Sequence, residues 1–185
     1  MYQPKGVIIL SSHNKTREMV LTALFAALAC VATMAIRIPT PATGGYIHPG
    51  DAVVILCGLI LGPRYGFLAA GLGSCAADLF GGYFLYVPAT FIIKGLIAYL
   101  TAKAAQHLPD TTKGHFMGVI AGGVLDIILV AGGYFVFEYF IYGLGAAASI
   151  PANAIQGVSG LIIALVLTPV LSAIPNVKQL MASHR

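Results

Sequence analysis

Apolar residues occur in long runs along this chain, and short polar segments separate the runs. The runs cover about 18–36, 51–62, 65–80, 88–107, 115–142 and 150–174. A helix needs about 20 largely apolar residues to cross a bilayer whose hydrocarbon core is about 30 Å thick. The pattern therefore predicts an all-α membrane protein, with six transmembrane helices in a single domain over residues 1–185.

The second run is short for a crossing, because twelve helical residues rise only about 18 Å. The segment Gly62-Pro63-Arg64-Tyr65-Gly66 separates it from the third run. Glycine permits positive φ and proline ends a helix, so this segment predicts a tight turn. A re-entrant hairpin formed by these two runs is the alternative to two full crossings.

The composition agrees with a membrane protein and excludes several functions. The chain is 58% hydrophobic and 9% charged, whereas a soluble domain has about 25% charged residues. No Walker A, HExxH or GxSxG motif is present, so we expect no ATPase or catalytic site, no metal and no cofactor of its own. Cys30, Cys57 and Cys75 lie inside apolar runs without CxxC spacing, which favours packing roles over redox or metal chemistry.

Basic residues predict the orientation in the membrane. If the six runs alternate, one side receives Lys5, Lys15, Arg17, Arg64, Lys103, Lys113, Lys178 and Arg185. The other side has only Arg37 outside the runs. By the positive-inside rule, residues 1–17 form a cytoplasmic N-terminal segment and 175–185 a cytoplasmic tail. The net charge of +4 therefore reflects topology in a multi-pass cell-membrane protein and does not indicate nucleic-acid binding.

The same topology places the polar segment 38–50 outside the cell. Its prolines and glycines permit a shaped, semi-rigid loop. Tyr46 and His48 lie in the loop, and Asp51 follows it. We predict that this loop is a gate over a solute site.

Polar and ionisable side chains within the runs predict where that site lies. Such groups are costly in hydrocarbon and usually mark a ligand site or a pathway. Those expected in the outer half of the bundle are Asp51, Asp78, Tyr83, Tyr86, Lys94, Glu138, Tyr139, Asn153 and Gln156. Aromatic rings beside a few donors and acceptors suit a small heteroaromatic ligand.

Structural roles for the same residues stay open. Lys94 is also explained by an ion pair with Glu138 or Asp78, and Asp51 by a charge at a helix N-terminus. Interhelical hydrogen bonds account for Asn153 and Gln156, and an interfacial aromatic belt accounts for several tyrosines. A surface position accounts for His48. Asp126, in the middle of the fifth run, receives no role.

Small residues recur at the four-residue spacing that lets helices approach closely. They are Ala23 and Ala27 in the first run, Ala69, Gly73 and Ala77 in the third, and Gly114, Gly118 and Gly122 in the fifth. Packing inside the bundle explains each set. The first run is also the best candidate for a surface that docks another membrane protein, because its neighbouring residues are small as well.

Taken together, these segments resemble the substrate-binding S component of an energy-coupling factor (ECF) vitamin transporter. The resemblance rests on residues 21–28, 38–39, 44–52, 61–66, 77–82, 88–95, 138, 142–143, 151–153 and 156. It implies a six-helix bundle whose first loop closes over a vitamin. It also implies that Ala23 and Ala27 dock on a transmembrane scaffold (T) subunit, and that two cytoplasmic ABC ATPases use the ATP. The branch it resembles most is that of pyridoxine or hydroxymethylpyrimidine.

Two other functions remain as alternatives. A stand-alone, proton-coupled carrier would use Asp78, Asp126 or Glu138. A small intramembrane enzyme would need a cluster of catalytic groups near the interface, whereas the acids of this chain are dispersed.

Overall fold

The computed structural model describes residues 6–40 and 43–184, with side chains from residue 15 onward. Parts of the predicted N-terminal segment, gating loop and tail (1–5, 41–42 and 185) lie outside the described residues. The elements are α1 (Gly6–Ala35), β1 (Ile38–Pro39), β2 (Tyr46–Ile47), α2 (Asp51–Gly81), α3 (Val87–Gln106), α4 (Thr112–Tyr142), a 3₁₀ helix (Gly143–Ser149), α5 (Ile150–Ser172) and α6 (Pro175–Ser183). The predicted all-helical class is confirmed; the two strands form only a short antiparallel hairpin in the loop after α1.

The helix α2 turns back on itself at Gly62. This residue has φ 74° and ψ −176°, and Pro63 follows it. Proline lacks the N–H that would continue the helix. Beyond the turn, a Cβ placed on Gly66 would lie 2.8 Å from the carbonyl oxygen of Cys57, although residues nine apart in a straight helix are separated by about 13 Å. Two arms, 51–61 and 63–81, therefore lie side by side around the predicted turn.

Four described stretches have the length and composition to cross a membrane: Lys15–Ala35, Asp51–Gly81, Val87–Gln106 and Thr112–Ser172. The second contains both arms of α2, and the last contains α4, the 3₁₀ helix and α5. The six predicted runs thus correspond to fewer continuous stretches. Six crossings and cytoplasmic termini stay predictions.

The first arm of α2 forms the centre of the bundle, and every residue from 51 to 61 is buried. Small residues permit the close contacts around it. Gly58 lies against the backbone of Ala98 in α3, and Gly160 of α5 lies against Asp51. A helix covered on all sides must be apolar all round, which explains why this run shows no polar face except at its start.

The helix α1 packs on the second arm of α2 by one face only. Gly73 lies against the backbone of Ala26, and Ala29 is buried beside it. Ala23 and Ala27 lie on the exposed side. Only 17% of the most apolar part of α1 is buried, so most of its surface is free for lipid or for another protein.

The predicted tail contains a helix that the apolar pattern did not indicate. Leu180 and Met181 of α6 are buried in the core. His184 follows α6 and lies beside Gly62. The segment 175–184 therefore packs under the turn of α2.

We expect Gly62→Ala to destabilise the protein by about 1–3 kcal/mol, because its backbone conformation is open almost only to glycine. A Cβ there would also lie 2.9 Å from the ring of His184. Unfolding by SDS titration in detergent micelles measures the loss. Gly132→Ala is the matched control, since Gly132 is helical and has open space around it, and we expect it to be neutral or slightly stabilising. Equal effects at both positions would contradict the role of Gly62.

Candidate functional site

A small polar cavity lies where the loop after α1 meets the ends of α2, α3, α4 and α5. Its volume is about 20 Å³, the space of about one water molecule. Its lining residues are Thr40, Gly45, Tyr46, His48, Asp78, Tyr86, Tyr134, Glu138, Asn153 and Gln156. The structure thus brings together seven of the residues that the sequence predicted for a substrate site: Tyr46, His48, Asp78, Tyr86, Glu138, Asn153 and Gln156.

The loop covers the cavity and is tied to the helices by hydrogen bonds. The backbone N–H of His48 donates to Oε1 of Gln156 at 3.0 Å. The hydroxyl of Tyr46 donates to Oδ1 of Asp78 at 2.7 Å. Burial and the neighbouring Asp78 raise the pKa of Tyr46, so its phenol stays a donor. These two bonds fix the hairpin β1–β2 over α2 and α5.

His48 faces inward and is neutral. Its Nδ1 accepts a hydrogen bond from the N–H of Gly50 at 3.1 Å, so the proton of the neutral ring lies on Nε2. Burial lowers the pKa of His48 to about 4, with Lys94 acting in the same direction and Asp51 opposing it. The loop therefore closes over the cavity without bringing a charge into it.

An ion pair between Lys94 and Asp51 lies beneath the cavity. Both side chains are fully buried, and Nζ of Lys94 donates to Oδ1 of Asp51. The other oxygen, Oδ2, accepts a hydrogen bond from Nε2 of Gln156 at 2.7 Å. The alternative that Lys94 forms an ion pair with Glu138 or Asp78 is therefore wrong, because its partner is Asp51. Neither Lys94 nor Asp51 lines the cavity. Lys94 pairs with Asp51, Asp51 accepts a hydrogen bond from Gln156, and Gln156 accepts one from the loop.

Glu138 is held by donors from two other elements. The hydroxyl of Tyr86 donates to Oε1 at 2.9 Å, and the hydroxyl of Ser149 donates to Oε2. Ser149 ends the 3₁₀ helix and also lies 3.5 Å from the amide nitrogen of Asn153. Because this last contact is long, Ser149 holds the Asn153 amide only weakly.

Asp78 offers an unsatisfied acceptor. Its Oδ1 accepts the Tyr46 hydroxyl, whereas Oδ2 is buried without a hydrogen-bond partner among the described residues. A buried acceptor without a partner is costly. A ligand donor in the cavity would satisfy it.

Sequence reasoning missed Thr40, Gly45, Tyr134 and Ser149. The hydroxyls of Tyr134 and Thr90 form a hydrogen bond of 2.9 Å in the wall. The spacing of residues along the helices could have indicated Tyr134 and Thr90. Tyr134 precedes Glu138 by four residues and Thr90 precedes Lys94 by four, so each pair shares a helix face. Ser149 carried no such signal, since the 3₁₀ helix was not predicted.

Besides Lys94 and Asp51, two more predicted site residues lie outside the cavity, Tyr83 and Tyr139. Tyr83 packs against the ring of Tyr46 with centroids 4.3 Å apart. The Arg37 guanidinium lies 5.8 Å from the Tyr46 ring and 6.0 Å from the Tyr83 ring. Tyr83 therefore supports the loop from outside. Tyr139 is 46% exposed and points away from the cavity.

Asp126 is buried in α4, and neither of its carboxylate oxygens has a hydrogen-bond partner among the described residues. It does not line the cavity.

We expect Lys94→Met to cost about 3–5 kcal/mol of stability, because it leaves Asp51 as an unpaired charge inside the bundle. The double change Asp51→Asn with Lys94→Met removes both charges and should recover most of that loss. SDS titration of the two single variants and the double variant gives the coupling energy. Lys113→Met at the exposed start of α4 is the control. Additive losses for Asp51 and Lys94 would show that the pair is not coupled.

Comparison with known proteins identifies the family. The family model of the S component of ECF-type riboflavin transporters matches residues 13–173. A solved structure of the S component of a bacterial ECF transporter has a TM-score of 0.61 at 20% identity, covering 86% of this chain and 97% of that one. This likeness shows the shared fold.

Two relatives support the same assignment. An uncharacterised protein in the gap 3′ region of Pyrococcus woesei is 35% identical over 135 residues, which are 72% of this chain and 86% of that protein. The thiamine precursor transporter HmpT of Lactococcus lactis subsp. cremoris (strain MG1363) is 25% identical over 164 residues, which are 88% of this chain and 92% of the transporter. The chain therefore belongs to the S-component family of ECF-type transporters, as a multi-pass plasma-membrane protein of a transport system.

Proposed function

We infer that this chain is the high-affinity substrate-binding subunit of an ATP-driven ECF importer, and that its ligand is hydroxymethylpyrimidine or pyridoxine. The observation that carries this proposal is the polar cavity closed by the loop after α1. It combines aromatic walls with two carboxylates, Asp78 and Glu138, and with the amides of Asn153 and Gln156.

The charges of the cavity favour a ligand that brings hydrogen-bond donors. Among the described residues that line it there is no lysine or arginine, and His48 is neutral at pH 7. A phosphate ester would meet two carboxylates without a counter-charge, which is unfavourable in a low-dielectric site. An unphosphorylated ring with amino or hydroxyl groups supplies the donors that Asp78 and Glu138 accept.

The shape of the cavity favours a flat ring that enters when the loop moves. Tyr46, Tyr86 and Tyr134 contribute aromatic surface on which a heteroaromatic ring can stack. A space of about 20 Å³ holds a single water molecule, so a vitamin needs the gate to open. Segment 38–50 is the part to move, because apart from its junction with α2 the hydrogen bonds that join its described residues to the helices are those of Tyr46 and His48.

The relatives support this substrate class without fixing the ligand. HmpT carries the name of a thiamine precursor transporter, and the matching family model carries the name of a riboflavin transporter. The assignment of pyridoxine as a ligand rests on the resemblance of the sequence to the pyridoxine or hydroxymethylpyrimidine branch. All three names denote small water-soluble heteroaromatic compounds, which fits the cavity chemistry.

Transport then requires partners in the membrane and the cytoplasm. In this proposal six crossings place both termini in the cytoplasm and the loop outside, as the distribution of basic residues predicts. A T scaffold subunit binds the exposed side of α1, where Ala23 and Ala27 permit close approach. Two ABC ATPases hydrolyse the ATP, and the chain itself needs no cofactor.

We expect Glu138→Gln to weaken binding of the cognate vitamin about 10- to 100-fold, because a hydrogen bond to a charged group contributes about 1.5–3 kcal/mol. Isothermal titration of the purified chain with hydroxymethylpyrimidine, pyridoxine, riboflavin and the phosphate esters of the first two measures this effect. Asn153→Leu should weaken binding as well. The phosphate esters should bind at least 10-fold more weakly than the free compounds.

Tyr139→Phe is the matched control, since Tyr139 adjoins Glu138 in sequence but is exposed outside the cavity. We expect it to bind like the unsubstituted chain. Unchanged affinity in both Glu138→Gln and Asn153→Leu would refute the cavity as the binding site. Equal binding of the esters would refute the charge argument.

We expect Ala27→Trp to preserve vitamin binding and to reduce uptake at least 10-fold, because a large side chain prevents close helix contact. Uptake is measured in cells that co-express the scaffold subunit and both ATPases. Ile128→Trp is the control on α4, where Ile128 is exposed. Normal uptake by Ala27→Trp, or an equal loss in the control, would contradict docking at this face.

A stand-alone proton-coupled carrier is the second candidate, and Asp126 favours it. A buried carboxyl group without a hydrogen-bond partner is a possible proton site in a membrane protein. Uptake that persists without any ATPase subunit and stops when the proton gradient collapses would favour this function over the first.

A further inference from the structure

A second cleft lies at the end of the bundle opposite the vitamin cavity. It has a volume of about 470 Å³ and is bounded by the turn of α2, the last turns of α3, the side chain of Glu18 and His184. Tyr86, at the start of α3, lines the cavity, whereas Tyr99, Lys103 and Gln106 of the same helix line the cleft. The two sites are therefore about 20–30 Å apart along α3. The cavity and this cleft are therefore separate sites.

The cleft presents positive charge without neutralising partners. Arg64 and Lys103 line it and are exposed. Glu18 is the acidic residue of the lining, and it lies 3.8 Å from His184. Among the described side chains, no carboxylate lies within 4.0 Å of Arg64 or Lys103. The ammonium of Lys103 instead lies 5.9 Å from the ring centre of Tyr99.

An apolar groove adjoins this cleft on the outer surface of the bundle. It has a volume of about 450 Å³ and lies between the second arm of α2 and α3. Phe67, Leu68 and Leu96 line it, and it shares Arg64 and Tyr99 with the cleft. The cleft and the groove therefore form one continuous depression, with two cations at one end and hydrocarbon side chains at the other.

We propose that this depression is a binding site for one anionic phospholipid, with its phosphate between Arg64 and Lys103 and one acyl chain along Phe67, Leu68 and Leu96. The arginine guanidinium is well suited to phosphate oxygens. Tyr65 and Tyr99 lie beside the cations, and tyrosine favours the level of the lipid headgroups. A soluble anion would use the cleft but would leave the groove without an occupant.

The charge part of the proposal is tested by native mass spectrometry of the full chain released from micelles that contain equal amounts of dioleoyl phosphatidylglycerol and dioleoyl phosphatidylcholine. We expect preferential retention of phosphatidylglycerol. The double change Arg64→Gln with Lys103→Gln should reduce that retention about 25-fold, because each cation near a lipid surface contributes about fivefold. The control, Lys113→Gln with Lys178→Gln, removes the same charge outside the cleft and should retain the lipid.

The groove part is tested by Leu96→Trp, which fills the groove and leaves every charge in place. We expect at least a fivefold loss of phosphatidylglycerol. Ile120→Trp, on the exposed side of α4, should have no effect. Inorganic phosphate is added in a separate series and should not displace the lipid at equal concentration.

Four results would overturn the proposal. They are equal retention of the two lipids, unchanged retention in the Arg64/Lys103 variant, equal losses in the variants and their controls, and displacement by inorganic phosphate. The last result would show an anion site that makes no use of the groove.

Discussion

The buried ion pair between Lys94 and Asp51 is the interaction on which the polar cavity depends. Two charges in the middle of an apolar bundle are stable only when each satisfies the other. The pair joins α2 to α3, and the second oxygen of Asp51 holds Gln156 of α5. Three helices are thereby fixed at one point directly beneath the cavity.

The loop after α1 depends on this point as well. Gln156 uses its amide nitrogen to bind Asp51 and its amide oxygen to bind the backbone N–H of His48. One side chain therefore connects the buried charges to the loop after α1. A ligand that contacts Gln156 would alter both bonds, so occupancy of the cavity and closure of the loop are physically coupled.

The two ends of the bundle present side chains of opposite charge. The cavity end has two lining carboxylates and no lining cation among its described residues, whereas the opposite cleft contains Arg64 and Lys103. The first suits a donor-rich neutral or cationic ring, and the second suits an anionic headgroup. The exposed face of α1 belongs to neither end, which leaves it available for a partner subunit.

The sequence by itself determined the apolar helices, the turn at Gly62 and most of the cavity-lining residues. Glycine and proline affect only the backbone around them, and each polar group in hydrocarbon is costly by itself. Both effects are local, so they can be inferred from the sequence alone. The partner of Lys94, the outward direction of Tyr139, the packing of α6 and the roles of Tyr134 and Ser149 were decided only by tertiary structure. Each depends on which helix faces lie against each other, and contacts between residues as far apart as 51 and 156 are not encoded in local spacing.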